Sequence, residues 1–478
     1  MSTIDFISLI PVLIIAGAPL LILIIISIFR KYEVVYGITL LSLIISFISI
    51  FVILPDIPHN IVPLFTIDYF SLFFSGIILI SAFFIVLLSY SYIKQVGGFK
   101  EEYYIILLTG TLGAMLLTMA SDFILFFLGF ETLSISLYVM ISFQKAKKLS
   151  IEAGIKYLIL ASASSAFLLF GMALIYTQTG TMEFNTLAIY IKNAGLLSPL
   201  IIFGFGMMLV GIGFKLALAP FHMWTPDVYQ GSPTPVSAYI ATISKGALMA
   251  VFIRFFISIQ GVKSADFFIV ITAIAILTMF VGNFLAIRQQ NIKRLLGYSS
   301  ITNMGFILII LLIGGSRGVQ AGIFYLITYF IATIGAFGVL SVLSTRAEDI
   351  EKRSEIKGLY WKRPWLAGFF TLSLFSLAGL PLTMGFIGKF YVIFEGVKSG
   401  LFLLIFVMIV SSLISLYYYL RVVGALFAKQ KPEINNETQL PTISYSGGLA
   451  LTLISAIILF LGVFPGWLLE IIIKWIVL

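Results

Sequence analysis

Apolar runs of about twenty residues, following one another from end to end, constrain this chain more than any other feature. Fourteen can be drawn, at 7–29, 34–54, 69–93, 103–120, 122–143, 151–177, 199–221, 234–260, 266–287, 295–314, 318–344, 364–394, 401–428 and 443–473. About twenty apolar residues wound as an α-helix cross the hydrocarbon of a bilayer. Within that hydrocarbon every backbone donor and acceptor must be satisfied internally, so only helices and closed barrels can span it. These runs are continuous rather than alternating, which selects helices. Composition agrees, with 60% hydrophobic and only 10% charged residues, where soluble domains carry about a quarter charged. The expected fold class is an all-α integral membrane protein of about fourteen transmembrane helices, here called spans 1 to 14.

The connections are short and carry turn residues such as Pro55-Asp56, Gly97-Gly98 and Gly314-Gly315, and spans 4 and 5 meet almost directly at Ser121-Asp122. Lys and Arg fall unequally on the two sides. The loops 1–2, 3–4, 5–6, 9–10, 11–12 and 13–14 hold eighteen, whereas the other side holds five: Lys192, Lys263, Arg317, Lys398 and Lys474. Basic loops remain cytoplasmic, so both termini are expected outside. The net charge of +9 is therefore an orientation signal and not a nucleic-acid footprint. Asp5, with no basic residue before the first run, argues against a cleaved signal peptide. With no Cys and only His59 and His222, the chain has no thiolate ligands for an iron–sulfur cluster and little from which to build a metal or haem site. No loop is large enough to host a nucleotide or a redox centre.

A few ionisable residues remain well inside the predicted spans. Glu131 is near the middle of span 5, Lys215 late in span 7, Lys245 within span 8 and Lys389 within span 12. Each charge at the bilayer centre costs roughly 2.5–3.5 kcal/mol on insertion scales, so four add on the order of 10 kcal/mol. Such residues persist where they pair or face a hydrated interior. Desolvation favours the neutral form of an amine and a neighbouring charge tunes that preference, which suits a proton relay. The competing reading is structural: packing lysines and a static Glu131–Lys215 ion pair. Arg254 and Arg421 lie close to span ends and read as side chains reaching for the interface. Glu152 and Lys156, four apart at the start of span 6, read as an interfacial salt bridge, with Lys156 a secondary candidate for the path.

Two spans are interrupted. Span 7 carries Pro220 after Lys215, and span 12 carries Gly379, Pro381 and Gly385 before Lys389. Unwound backbone at membrane depth survives only when buried in protein or facing a cavity. Paired broken helices in two halves point to an inverted repeat with a pathway between them. His222, just past the first break beside Trp224 and Asp227, is either a second proton-shuttle candidate or a hydrogen-bonded structural histidine. Hydroxyls in the same spans (Ser134, Ser136 and Tyr138; Ser162, Ser164 and Ser165; Thr242 and Ser244) serve equally as water-wire partners or as close-packing positions.

The stretches KLALAPFHMWTPDVYQGSPTPVSAYIATISKGA (215–247), IEAGIKYLILASASSAFLLFG (151–171), NIKRLLGYSSITNMGF (291–306) and LAGLPLTMGFIGKFYV (377–392) resemble the antiporter-like membrane subunits of respiratory complex I. The DVYQGSPTPV ending resembles the branch called subunit N. Lys389, where the subunit M branch has a glutamate, and an end at Leu478 without the lateral helix of subunit L, agree. The resemblance implies spans 4–8 (103–260) and 9–13 (261–428) as two inverted five-helix repeats, preceded by spans 1–3 (1–102) and followed by span 14 (429–478). It places the family's functional residues on Glu131, Lys215, Lys245 and Lys389. It further implies a proton-translocating subunit of an NADH-quinone oxidoreductase-type enzyme in a prokaryotic plasma or inner membrane. Other membrane-arm subunits would be its partners, and flavin, iron–sulfur clusters and quinone would reside on those partners; no redox chemistry is expected on this chain. The electron donor stays open among NADH, a deazaflavin and ferredoxin, and an Mrp-type cation/proton antiporter subunit is the alternative.

Overall fold

A computed structural model describes residues 3–61, 64–96, 98–193, 198–259, 265–344, 349–429 and 443–476. Of the positions named above, Gly97, Lys263 and Leu478 lie outside them.

Among the described residues, thirteen helices are long and apolar enough to cross a bilayer. Spans 1 to 6 are Ile10–Ile28, Tyr32–Val52, Tyr69–Gln95, Glu102–Met119, Phe123–Ile141 and Lys148–Thr179. Span 7 is Pro199–Leu216, and span 8 runs Thr234–Ser258. Spans 9 to 11 are Ala265–Ile287, Ile292–Ile313 and Gly315–Leu343, span 13 is Phe402–Phe427, and span 14 is Tyr445–Val463 with a further helix Pro465–Trp475. Span 12 is the fourteenth, and its break divides it into Pro364–Ala378 and Met384–Lys398, each half too short to cross alone.

The sequence pattern explains where these helices sit. Spans 8, 10 and 11 are almost wholly surrounded by protein, whereas spans 1, 2, 6, 9 and 14 present broad outer faces. Those faces are apolar: Leu20, Leu23 and Ile24 on span 1, and Phe402, Leu403 and Phe406 on span 13, are exposed. In water they would be a liability; against acyl chains they cost nothing. The buried spans carry the polar residues instead, so sidedness is inverted relative to a soluble bundle. Span 7 packs on span 6, span 10 on span 9, and span 11 against spans 3, 12 and 14.

Two smaller elements escape a reading by apolar runs. His59–Ile61 and Phe65–Ile67 pair as an antiparallel hairpin, tied to the first residues of the chain by a 2.7 Å contact between His59 Nε2 and Asp5 Oδ1. A ten-residue helix, Phe184–Asn193, fills the connection between spans 6 and 7.

Candidate functional site

The two breaks have the same local chemistry. After span 7, Ala217 adopts a left-handed φ of 59° and its N–H and that of Leu218 cap the Phe214 and Gly213 carbonyls. After Ala378, Gly379 has φ 82°, and its N–H and that of Leu380 cap Ser376 and Phe375. This capping pattern satisfies part of the last turn and leaves other carbonyls available. A proline follows each cap, Pro220 (after a cis peptide bond) and Pro381, and prevents the helix from resuming.

Lys215 occupies the last turn before the first break. Its Nζ donates to Ser134 Oγ of span 5 at 2.7 Å and lies over the rings of Phe130 and Tyr157. Glu131, one turn from Ser134, acts on Lys215 electrostatically but forms no ion-pair contact with it among the described residues. The direct Glu131–Lys215 ion pair of the structural reading is therefore not formed, and Lys215 is held instead by Ser134, whose hydroxyl donates on to the Phe130 carbonyl. One Glu131 carboxylate oxygen, Oε1, is buried with no hydrogen-bond partner. Trp224 packs on Tyr157 with ring centroids 5.0 Å apart and donates through Nε1 to the Phe214 carbonyl, closing the break over Lys215.

Lys245 follows a π-helical segment, Ile240–Ser244, in span 8. It is 0% exposed, and its Nζ donates to Ser300 Oγ at 2.6 Å. Ser300 is also bonded by Tyr329 at 2.7 Å and Tyr229 at 3.3 Å. The adjacent Ser299 meets Tyr419, and Asn303, one turn on, donates to the Ser299 carbonyl and accepts from Tyr325. Tyr325 in turn lies against Gly388, beside Lys389. Spans 10, 11 and 13 thus carry two hydrogen-bonded polar groups, one centred on Ser300 and one on Ser299 and Asn303, with the Tyr325 ring of the second against Gly388.

Lys389 sits after the second break. Its Nζ donates to the Leu377 and Ala378 carbonyls, freed at the end of the first half-helix, and to Ser412 Oγ, at 3.0, 2.9 and 3.0 Å. A Cβ on Gly379 would stand 2.8 Å from the Lys389 side chain, so glycine supplies both the left-handed turn and the space. The corner is tight elsewhere too: a Cβ on Gly385 would overlap the Ser376 carbonyl at 1.8 Å, and one on Gly462 of span 14 would meet the Leu382 carbonyl at 2.3 Å.

The remaining candidates are placed differently. Lys156 is at an exposed rim, bonded to Glu152 at 2.7 Å and Asp227 at 3.0 Å, as the interfacial reading expected. Asp227 also holds Arg294. His222 is half-buried in the first break, with its Nδ1 unpartnered. Arg254 reaches toward the start of span 3, where its guanidinium makes two bonds to the N-cap residue Asp68, at 2.8 and 2.7 Å. Of the hydroxyls singled out, Ser134 alone receives a lysine bond, while Ser136, Ser164 and Thr242 bond to backbone carbonyls.

One buried ionic cluster was not foreseen. Lys293, at 0% exposure, donates to Asp349 Oδ2 at 3.1 Å and to the Ser232 carbonyl at 2.6 Å. Asp349 also accepts from Tyr92 at 2.6 Å and lies 3.6 Å from Lys147. Burial pushes the Asp349 carboxyl up, but Lys293, Lys147 and the Tyr92 hydroxyl outweigh it and hold it below the ordinary carboxylate range.

A helical membrane fold with broken helices and buried amines along its middle defines the antiporter-like class, and comparison with known proteins agrees. Residues 120–415 match the family described as NADH:quinone oxidoreductase/Mrp antiporter, transmembrane, and the chain belongs to that family. Within it, the similarity runs to subunit N: the NADH-quinone oxidoreductase subunit N of Ectopseudomonas mendocina (strain ymp) is 38% identical over 473 residues, 98% of this chain and 95% of that one. A chain of the respiratory complex I of Thermus thermophilus, solved with bound aureothin, superposes with TM-score 0.82 at 32% identity, covering 96% and 98% of the two chains. A chain of the Mrp complex from Dietzia sp. DQ12-45-1b superposes with TM-score 0.85 at 20% identity, covering 98% and 96%, a likeness of fold.

Proposed function

We propose that this chain is a proton-translocating membrane-arm subunit of a complex I-like NADH-quinone oxidoreductase, with Glu131, Lys215, Lys245 and Lys389 as the proton-carrying groups. The observation that carries this reading is the choice of partners. Lys215, Lys245 and Lys389 are each buried, and among the described residues each donates only to hydroxyls or backbone carbonyls. Such acceptors can hold an ammonium, yet they release a neutral amine at little cost, whereas a carboxylate would lock the charge in place.

In this scheme a change in the field around Glu131 shifts the proton on Lys215. Lys245 and the Ser300–Tyr329 hydroxyls receive the next charge, and the Ser299–Asn303–Tyr325 group conducts toward Lys389. Moving one charge against 100 mV costs about 2.3 kcal/mol, within the scale of an altered buried charge interaction. Lys156 and His222 are secondary candidates, at the rim and at the first break. Both termini face outward in a prokaryotic plasma membrane, as the basic loops imply. Redox groups and quinone chemistry belong to partner subunits of the assembly.

The test is proton pumping by the assembled enzyme in proteoliposomes carrying Lys245→Gln or Lys389→Gln. Electron transfer with the gradient dissipated verifies assembly. The expected outcome is a lowered proton-to-electron ratio; native stoichiometry in both variants would remove these lysines from the path.

A further inference from the structure

Where the cytoplasmic ends of spans 9 and 13 meet the connector that follows span 11, the surface opens into a cavity of about 670 Å³. Its wall carries four cations, Lys352, Arg353, Lys357 and Arg421, with Gln290, Ser354, Ala425 of span 13 and Ala428 just after it, and no carboxylate among the described residues. The nearby Glu355 is held by the backbone, its Oε2 accepting from the N–H groups of Glu351 and Lys352.

The walls are built. The Arg353 N–H donates to the Gln290 carbonyl, the Gly358 N–H to Ala425, and Arg421 Nη1 to the Ile287 carbonyl at 2.7 Å. A cluster of like charges around one cavity makes the potential there positive and favours an anion.

The depth of the cavity selects the anion. Directly beside it, Tyr360 stacks on Phe427 at 4.8 Å, and Trp361 donates through Nε1 to the Phe427 carbonyl. Trp361 and Trp365 are 60% and 78% exposed. Exposed Trp and Tyr at a span end mark the headgroup level. Below the cavity, Leu413, Tyr417 and Leu420 of span 13 are exposed, a surface suited to an acyl chain. We propose that this cavity binds the phosphodiester headgroup of an anionic phospholipid, whose tail lies along span 13.

The test uses the full chain in nanodiscs of mixed phosphatidylglycerol and phosphatidylcholine, with retained lipid counted by native mass spectrometry. The native chain should retain phosphatidylglycerol selectively. Each basic residue at a membrane surface contributes roughly fivefold, so Lys352→Gln/Lys357→Gln should cut that selectivity about thirtyfold. Lys352→Glu alters one exposed side chain without touching the Arg421 brace and should cut it as well. Unchanged selectivity in both variants overturns the proposal. So does complete displacement of the lipid by inorganic phosphate, which would mark a soluble-anion site. Zero-length cross-linking of Lys352 to a carboxylate of a neighbouring subunit in the intact assembly would show a protein partner there, and overturns it equally.

Discussion

Lys293 and Lys245 are both fully buried amines, and the protein treats them in opposite ways. Lys293 is given a carboxylate, Asp349, which also draws in Lys147 and Tyr92. Lys245 is given the Ser300 hydroxyl and two tyrosines behind it. The first arrangement fixes a charge and ties the connector after span 11 to spans 3 and 10. The second gives the amine only neutral partners, which in the proposed function leaves its proton exchangeable. Burial of a lysine is thus not by itself a sign of function, and the partner decides.

The contrast can be broken most sharply at Asp349. Asp349→Asn strands Lys293 beside Lys147 and should destabilise the fold by about 3–5 kcal/mol, read as a large drop in the thermal unfolding midpoint. Lys245→Met should cost less than about 1 kcal/mol, because Ser300 keeps its tyrosine partners, while coupled pumping is lost. A large stability loss in Lys245→Met, or none in Asp349→Asn, would erase the distinction. Next in size, Tyr325→Phe leaves the Asn303 carbonyl oxygen buried without its donor, a cost of about 1–3 kcal/mol, and should slow proton delivery with electron transfer intact.

Acid provides a graded version. Because the folded Asp349 carboxyl lies below its unfolded value of about 3.9, its contribution is complete at neutral pH and is lost as pH falls through the folded value. The stability gap between the native chain and Asp349→Asn should therefore narrow on acidification; a constant gap would mean the carboxylate's charge is irrelevant. The smallest effect belongs to Lys156→Gln. That amine is largely exposed, and exposed pairs contribute roughly 0.2–1 kcal/mol. A melting shift beyond that, or lost pumping, would move Lys156 from the rim into the path.

Much of this was legible in the sequence because oil is an unforgiving solvent. Apolar length gave the spans, and the cost of charge singled out Glu131, Lys215, Lys245 and Lys389. Pro220 and the Gly379–Pro381–Gly385 group located both breaks. Lys293 was counted among loop cations, since it stands at the second position of span 10 and nothing local announces that Asp349, 56 residues on, folds over it. The polar groups at Ser299, Ser300 and Asn303 stayed hidden for a related reason: hydroxyls and amides cost little in a helix, so only their tertiary partners reveal them. Arg254 gave no sign of its partner, because Asp68 is 186 residues away. Partnership across long separations is what pattern and price cannot read.

The corner in span 12 has a mechanical consequence. With the Ser376 carbonyl wedged where a Gly385 side chain would be, and Leu382 seated against Gly462, the two half-helices meet as a braced elbow and not as a swivel. In the proposed function, protons would pass Lys389 by reorienting side chains and relaying bonds around this closely packed corner.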